Sequence, residues 1–244
     1  MTITINADMG EALGIHSFGN DTALLDYVDT INVACGMHSG DPSTMARTVT
    51  AALDVNVSVG AHPGLPDLVG FGRRAMVLTA DEVRDLVRYQ VGALKGFLDA
   101  AGAPLHHIKP HGALYGMVSR NEELMEAVCD VAEQFSVPIL GLPNTTHQRV
   151  AVRREVEFVC EFYVDLDYDD DGTVIVGRAA THRDLDQIDA KARRALVEGK
   201  TTSVSGTDID VTVESLCVHS DLPNAPEVAA RLRNLLDEWA AGTG

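Results

Sequence analysis

Short apolar runs alternate along this chain with longer stretches whose apolar residues recur every three or four positions. Residues 3–7, 30–34, 55–61, 106–109, 137–140, 157–164 and 213–219 read as strands, and the stretches between several of them as amphipathic helices. Asp41-Pro42 offers an N-cap with proline at the first helical position, followed by Met45, Val49, Ala52 and Leu53 at helical spacing. Thr79-Ala80-Asp81-Glu82 is a capping box ahead of an apolar face of Val83, Leu86, Val87, Val91, Leu94 and Leu98. Ser119-Arg120-Asn121-Glu122 reads as a second box, ahead of Leu124, Val128, Val131 and Phe135. Residues 184–198 are helical by the same pattern, and a closing helix near Pro226 buries Val228, Leu232, Leu235, Leu236 and Trp239. Two regions break the rhythm. Residues 165–177 are acidic and turn-rich and predict a loop with a small hairpin, whereas residues 201–210 have no clear period.

This alternation predicts an α/β fold of parallel strands joined by helical crossovers. No linker or internal repeat divides residues 1–244, so a single domain is expected. The polar clusters then gain meaning from their positions. Residues 60–74 pack His62, Asp67, Arg73 and Arg74 among glycines and prolines directly after a strand. An irregular backbone carrying such groups suits ligand contact. Similar clusters occur at residues 6–11, 34–42, 107–115 and 217–221, each after an apolar segment. Asp8, His38, His62, Lys109 with His111, Asp165 and His219 therefore fall at strand ends, where parallel α/β folds bind ligands. A closed or nearly closed barrel of about seven βα units would bring them to one mouth.

Composition narrows the function classes. Acidic residues outnumber basic ones, 36 to 19, for a net charge of -17. Such a surface repels nucleic acid and anionic membranes, so neither is an expected partner. The four cysteines, Cys35, Cys129, Cys160 and Cys217, form no CxxC pair and read neither as a zinc knuckle nor as a disulfide framework. The start, Met-Thr-Ile-Thr-Ile-Asn, has no basic region or long apolar stretch, and a cytoplasmic location is expected. Gly199-Lys200-Thr201 is like the end of a phosphate-binding loop, but position 194 is arginine and the segment follows a helix.

Five motifs taken in order resemble the LamB/YcsF family: residues 6–11, 32–42, 60–74, 109–115 and 217–221. The resemblance runs through most of the chain. It implies a deacetylase-like (β/α) barrel and ATP-dependent opening of the lactam 5-oxoproline to L-glutamate, with two further 5-oxoprolinase subunits as partners. ATP would act through that complex. The sequence departs from the family at Leu166, where an arginine is usual, and at Ser220, which replaces glycine. The Pro-Arg element is similar to Val176-Gly177-Arg178, shifted by one residue. Loss of the arginine leaves a related lactam or cyclic amide open as the substrate.

Opening an unstrained lactam needs a positioned water, an activated carbonyl and a stabilised oxyanion. Asp8 is the expected general base, with Glu11 tuning it by like-charge repulsion. Lys109 suits a developing oxyanion or a phosphate oxygen, and His111 beside it joins the catalytic set. His38, His62, His219, Asp41, Asp67 and Asp221 are candidate substrate contacts. Arg73 and Arg74 offer forked donors, one of the two being an expected structural ion-pair partner. The likeness to metal-dependent deacetylases implies a second option, a divalent metal held by Asp8, His38 and His62. Alternatives are a metal-dependent deacetylase or amidase acting on an acetylated carbohydrate or another cyclic amide, and a non-catalytic binding subunit. A thiol nucleophile at Cys35 or Cys217 stays open, although apolar flanks favour buried packing for both.

Overall fold

The computed structural model describes residues 2–177 and 180–242. Arg178, and with it part of the shifted motif, lies outside the described residues.

Six parallel strands form one sheet. In chain order they are β1 (Thr4–Met9), β2 (Thr30–Ala34), β3 (Ser58–His62), β4 (Ile139–Gly141), β5 (Phe158–Tyr163) and β10 (Ser215–His219). Their spatial order is β3-β2-β1-β10-β5-β4. The first and last strands of the chain are thus neighbours at its centre. Two antiparallel pairs lie outside this sheet, β6 (Asp167–Tyr168) with β7 (Val174–Ile175) and β8 (Lys200–Thr202) with β9 (Asp208–Asp210). The first pair is the expected hairpin in residues 165–177, and the second occupies the stretch without a clear period.

Of the expected barrel of about seven βα units, the structure shows a curled, open sheet of six parallel strands flanked by helices. Residues 106–109 form no ladder strand. Ile108 makes single parallel bridges to Ala61 on β3 and Ile139 on β4. Because one residue touches both edge strands, the sheet must curl. Proline explains why no longer ladder forms. Pro110 ends the segment, and Pro138 beside it accepts a hydrogen bond from Ile108 N–H at 3.0 Å but has none to return. The strand predicted at residues 55–61 begins later, since Val55 closes a helix and Asn56 has φ of 60°.

Helices cover the outside of the curl: α1 (Asp21–Leu24), α2 (Pro42–Asp54), α3 (Ala80–Ala100), α4 (Gly112–Val118), α5 (Glu122–Phe135), α6 (Thr146–Arg153), α7 (Leu185–Glu198) and α8 (Ala225–Ala240). The reciprocal capping box at Thr79 and Glu82 is present on α3. The second box is displaced. Asn121 caps α5 by accepting from Leu124 N–H, and Ser119 ends α4. Val83, Val87, Val91, Leu94 and Leu98 of α3 are buried. So is Gln90, which exchanges hydrogen bonds with both backbone groups of Gly64 at 2.8 and 2.9 Å. This helix therefore pins the loop that follows β3.

Side chains alternate across a strand. On β1, Ile5, Ala7 and Met9 belong to the apolar core, while Asn6 and Asp8 project to the other face and are equally buried. The same inner face carries Asn32, His62, Glu161, Tyr163, Cys217 and His219, and the curl closes around a polar interior.

Candidate active site

Parallel register sets the first contact. Asp8 is paired with His219 on one side and with Asn32 on the other. Asn32 Nδ2 donates to Asp8 Oδ1 at 2.7 Å, and Lys109 Nζ donates to the same oxygen at 3.0 Å. The second oxygen, Oδ2, faces His62 Nε2 at 3.3 Å and His219 Nε2 at 3.4 Å. Burial alone would raise the Asp8 pKa, but His62 and Lys109 outweigh it and hold the carboxyl well below its usual range. One oxygen is fixed and the other faces two imidazoles.

Lys109 is the hub. Its ammonium lies 3.0 Å from Glu161 Oε2, 3.1 Å from Cys217 Sγ and 5.0 Å from the centre of the Tyr163 ring. Desolvation disfavours its charge, yet Asp8, Cys217 and Glu161 keep its pKa well above the ordinary lysine value. His219 Nδ1 donates to Asp165 Oδ2 at 2.9 Å. Burial works against its protonation, and the Asp165 and Asp8 carboxylates override that to raise its pKa to about 9.

A second group adjoins the first. His62 Nδ1 lies 2.8 Å from the Lys109 carbonyl, and His111 Nε2 lies 2.8 Å from the Phe71 carbonyl. The remaining nitrogens, His62 Nε2 and His111 Nδ1, are 2.9 Å apart. His38 stacks on His111 with ring centres 3.7 Å apart, and its Nε2 lies 3.8 Å from Glu11 Oε1. Burial depresses the pKa of His38 and His111 well below the imidazole norm and raises that of Glu11, with Asp8 and Asp221 adding to the latter. The glycines of the loop after β3 make room for these rings. A Cβ on Gly64 would strike His38 Nδ1, and one on Gly72, which has φ of +63°, would lie 2.7 Å from His38 Cβ and 2.8 Å from His111 Cδ2.

Cavities lead to both groups. Glu11, His38, Phe71, Arg73 and Asp221 line a mouth of about 480 Å³. A recess of about 20 Å³ is bounded by Asp8, His62, His111, His219 and Leu166, again with Arg73. Arg73 borders both spaces. Its Nη2 bonds Asp221 Oδ2 at 3.0 Å, while its buried Nε has no partner.

The other candidates sit elsewhere. Asp67 accepts from Arg74 Nε through both oxygens at 3.0 and 2.9 Å and from Gly70 N–H at 2.8 Å. This pair staples the loop, and Arg74 is the structural one of the two arginines. Asp41 caps α2 through Ser43 and Thr44 N–H and also accepts from Gly14 N–H at 2.9 Å. Gly199 ends α7 in the left-handed conformation, and Lys200 and Thr201 continue into β8, so no phosphate loop forms there. Asn6 and Asn32 lie inside sequence motifs without a role assigned to them, and Glu161 and Tyr163 were not among the candidates. Glu161 carried a signal, because it interrupts the apolar run of β5.

The profile of the LamB/YcsF family matches residues 3–242. The chain belongs to the LamB/YcsF family. It is 41% identical over 239 residues to the lactam utilization protein lamB of Emericella nidulans, covering 96% of this chain and 94% of that one. It is 42% identical over 236 residues to the A subunit of a Bacillus cereus 5-oxoprolinase, covering 95% and 93% of the two chains. The crystal structure of a lactam utilization protein from Thermus thermophilus superposes with a TM-score of 0.89 at 38% identity, covering 98% of each chain. Among the described residues, no helix of this LamB/YcsF chain is long and apolar enough to cross a membrane.

Proposed function

We propose that this chain is the lactam-acting component of a 5-oxoprolinase, which hydrolyses 5-oxoproline to L-glutamate while the assembly consumes ATP. Two further subunits complete that assembly. We also read residues 106–109 as a degenerate stave that closes the curled sheet into a barrel, with Asp8 and Lys109 inside its mouth. The identity of 41% and 42% over nearly the whole chain to the A subunits of two Bacillus cereus 5-oxoprolinases supports the reaction class. The observation that carries the chemistry is the ionised Asp8, anchored through Oδ1 and directed at the recess through Oδ2.

In this reading Asp8 Oδ2 takes a proton from a water as the water oxygen attacks the lactam carbonyl carbon. His219 is charged at neutral pH, its Nδ1–H committed to Asp165, and its Nε2–H donates to the developing oxyanion. The C–N bond then breaks, the ring nitrogen takes the proton that Asp8 removed from the water and leaves as an amine, and a carboxylate remains. Arg73, with its unpartnered Nε, receives the substrate carboxylate between mouth and recess. Lys109 holds Asp8 in place and compensates buried negative charge. ATP, bound with the partner subunits, would supply the activation of the lactam carbonyl, its terminal phosphoryl group ending as inorganic phosphate.

The test is reconstitution. The purified chain with 5-oxoproline and MgATP should give neither glutamate nor ADP above background, and adding the two partner subunits should release both together. Robust glutamate formation by the isolated chain would overturn the division of labour. Release of acetate from an acetylated sugar without ATP would replace this reading with the deacetylase one.

A further inference from the structure

With every ring neutral, the proton count of the imidazole group does not close. A carbonyl oxygen only accepts, so His62 Nδ1 and His111 Nε2 must each carry the hydrogen in their contacts to Lys109 and Phe71. In neutral rings the two remaining nitrogens are both lone-pair acceptors, facing each other at 2.9 Å, and His62 Nε2 also faces the Asp8 carboxylate at 3.3 Å, so a proton or a metal ion must sit among them. Beside them His38 is 1% exposed, and neither of its ring nitrogens has a hydrogen-bond partner. Glu11, 4% exposed, completes the group. Several buried ligand atoms thus converge with unmet hydrogen-bonding capacity, and such groups are costly unless something satisfies them.

We propose that Glu11, His38, His62 and His111 form a binding site for one divalent transition-metal ion of the zinc class. Ligand atoms of these residues all lie within 4.8 Å of one another. Two imidazole nitrogens on a tetrahedral zinc ion stand roughly 3.3 Å apart, close to the spacing of His62 and His111. Their other nitrogens donate to backbone carbonyls, the usual outer bracing that fixes the tautomer of a metal-bound histidine. Three imidazoles with one carboxylate suit zinc-type ions better than magnesium or calcium, which prefer oxygen ligands.

This set differs from the triad that the deacetylase likeness implied. His38 and His62 stay, but Asp8 leaves it, since its ligand atoms group with those of Cys217 and His219 rather than with this set. Asp8, Cys217 and His219 also present ligand atoms within 4.8 Å of one another. There the Lys109 ammonium lies 3.0 Å from Asp8 and 3.1 Å from Cys217, so a cation of the protein's own fills the place. The metal site follows from ring geometry alone and is independent of the lactam reading.

The experiment strips the purified chain with a chelator, dialyses it, and adds back Zn²⁺ or Co²⁺. Metal content by mass spectrometry should reach one ion per chain, and the Co²⁺ form should show ligand-field absorption typical of low coordination. His38→Ala and Glu11→Gln should weaken Zn²⁺ binding by roughly tenfold or more with unchanged circular dichroism, whereas Cys217→Ser should bind as the natural chain does. If His38→Ala does not fold, the near-isosteric Glu11→Gln carries the comparison. Metal content no higher than in chain-free buffer overturns the site. So does loss of binding in Cys217→Ser with full binding in Glu11→Gln.

Discussion

Lys109 and Glu161 meet 3.0 Å apart at the centre of the curled sheet, both almost completely shielded from water. Lys109 also serves Asp8, so a single cation supports two buried carboxyl groups. Removing it strands them. Lys109→Met should destabilise the fold by about 3–5 kcal/mol, the usual cost of leaving a buried charge without its partner. Urea unfolding should show this, and adding Glu161→Gln to the variant should recover part of the loss. A midpoint equal to that of the natural chain would remove Lys109 from its place as hub.

Asp8→Asn keeps the shape of the side chain and removes its basicity. In the reconstituted assembly it should lower turnover by roughly 10²-fold or more, with unchanged circular dichroism. A near-natural rate would exclude Asp8 as the base.

Arg73→Lys keeps a cation but loses the planar fork. Its KM for 5-oxoproline should rise on the order of tenfold, with a smaller change in kcat. An unchanged KM would place the substrate carboxylate elsewhere.

The His219 pKa of about 9 lies above the ordinary imidazole value. A raised value means the folded state holds its proton more tightly than the unfolded chain does. That stabilisation is complete below the unfolded pKa of about 6.5 and is lost as the pH climbs through about 9, at most on the order of 3 kcal/mol. Denaturation midpoints measured from pH 6 to 10 should therefore fall less steeply in His219→Gln than in the natural chain. Parallel curves would mean that the Asp165 and Asp8 contacts do not hold the proton.

Burial pushes the Cys35 thiol up to about 12, and that of Cys217 is also raised by burial despite Lys109. Neither should react with iodoacetamide at pH 8 until the chain is unfolded, as mass spectrometry would show. Rapid modification of folded protein would reopen the thiol-nucleophile alternative.

Much of the candidate site was legible because its residues follow apolar runs. Asp8, His62, Lys109, His111 and His219 were marked by position, and the structure brings them together. Pairing was harder to read. Asp67 and Arg74 were the right types for ligand contact, but their spacing in a glycine-rich loop lets them satisfy each other. The roles of Asn6, Asn32 and Glu161 were hidden because strand recognition rewards apolar character, whereas here the inward positions of a two-residue period are polar. The short helix α4 spans too few turns for periodicity to declare itself, and α6 is only slightly longer. The strand expected at residues 106–109 is reduced to single bridges at Ile108, since flanking prolines limit the donors available for a longer ladder to β4.

The pairing of β1 with β10 sets a schedule for biosynthesis. Asp8 leaves the ribosome long before its register partner His219. Every nascent chain short of β10 exposes one side of β1 and its buried polar row with no strand to cover them. Long-range parallel pairing of this kind is slow to form and open to aggregation while it waits. The polar cluster therefore cannot assemble before β10 is made, and a truncation that spares every motif up to residue 214 leaves it without His219.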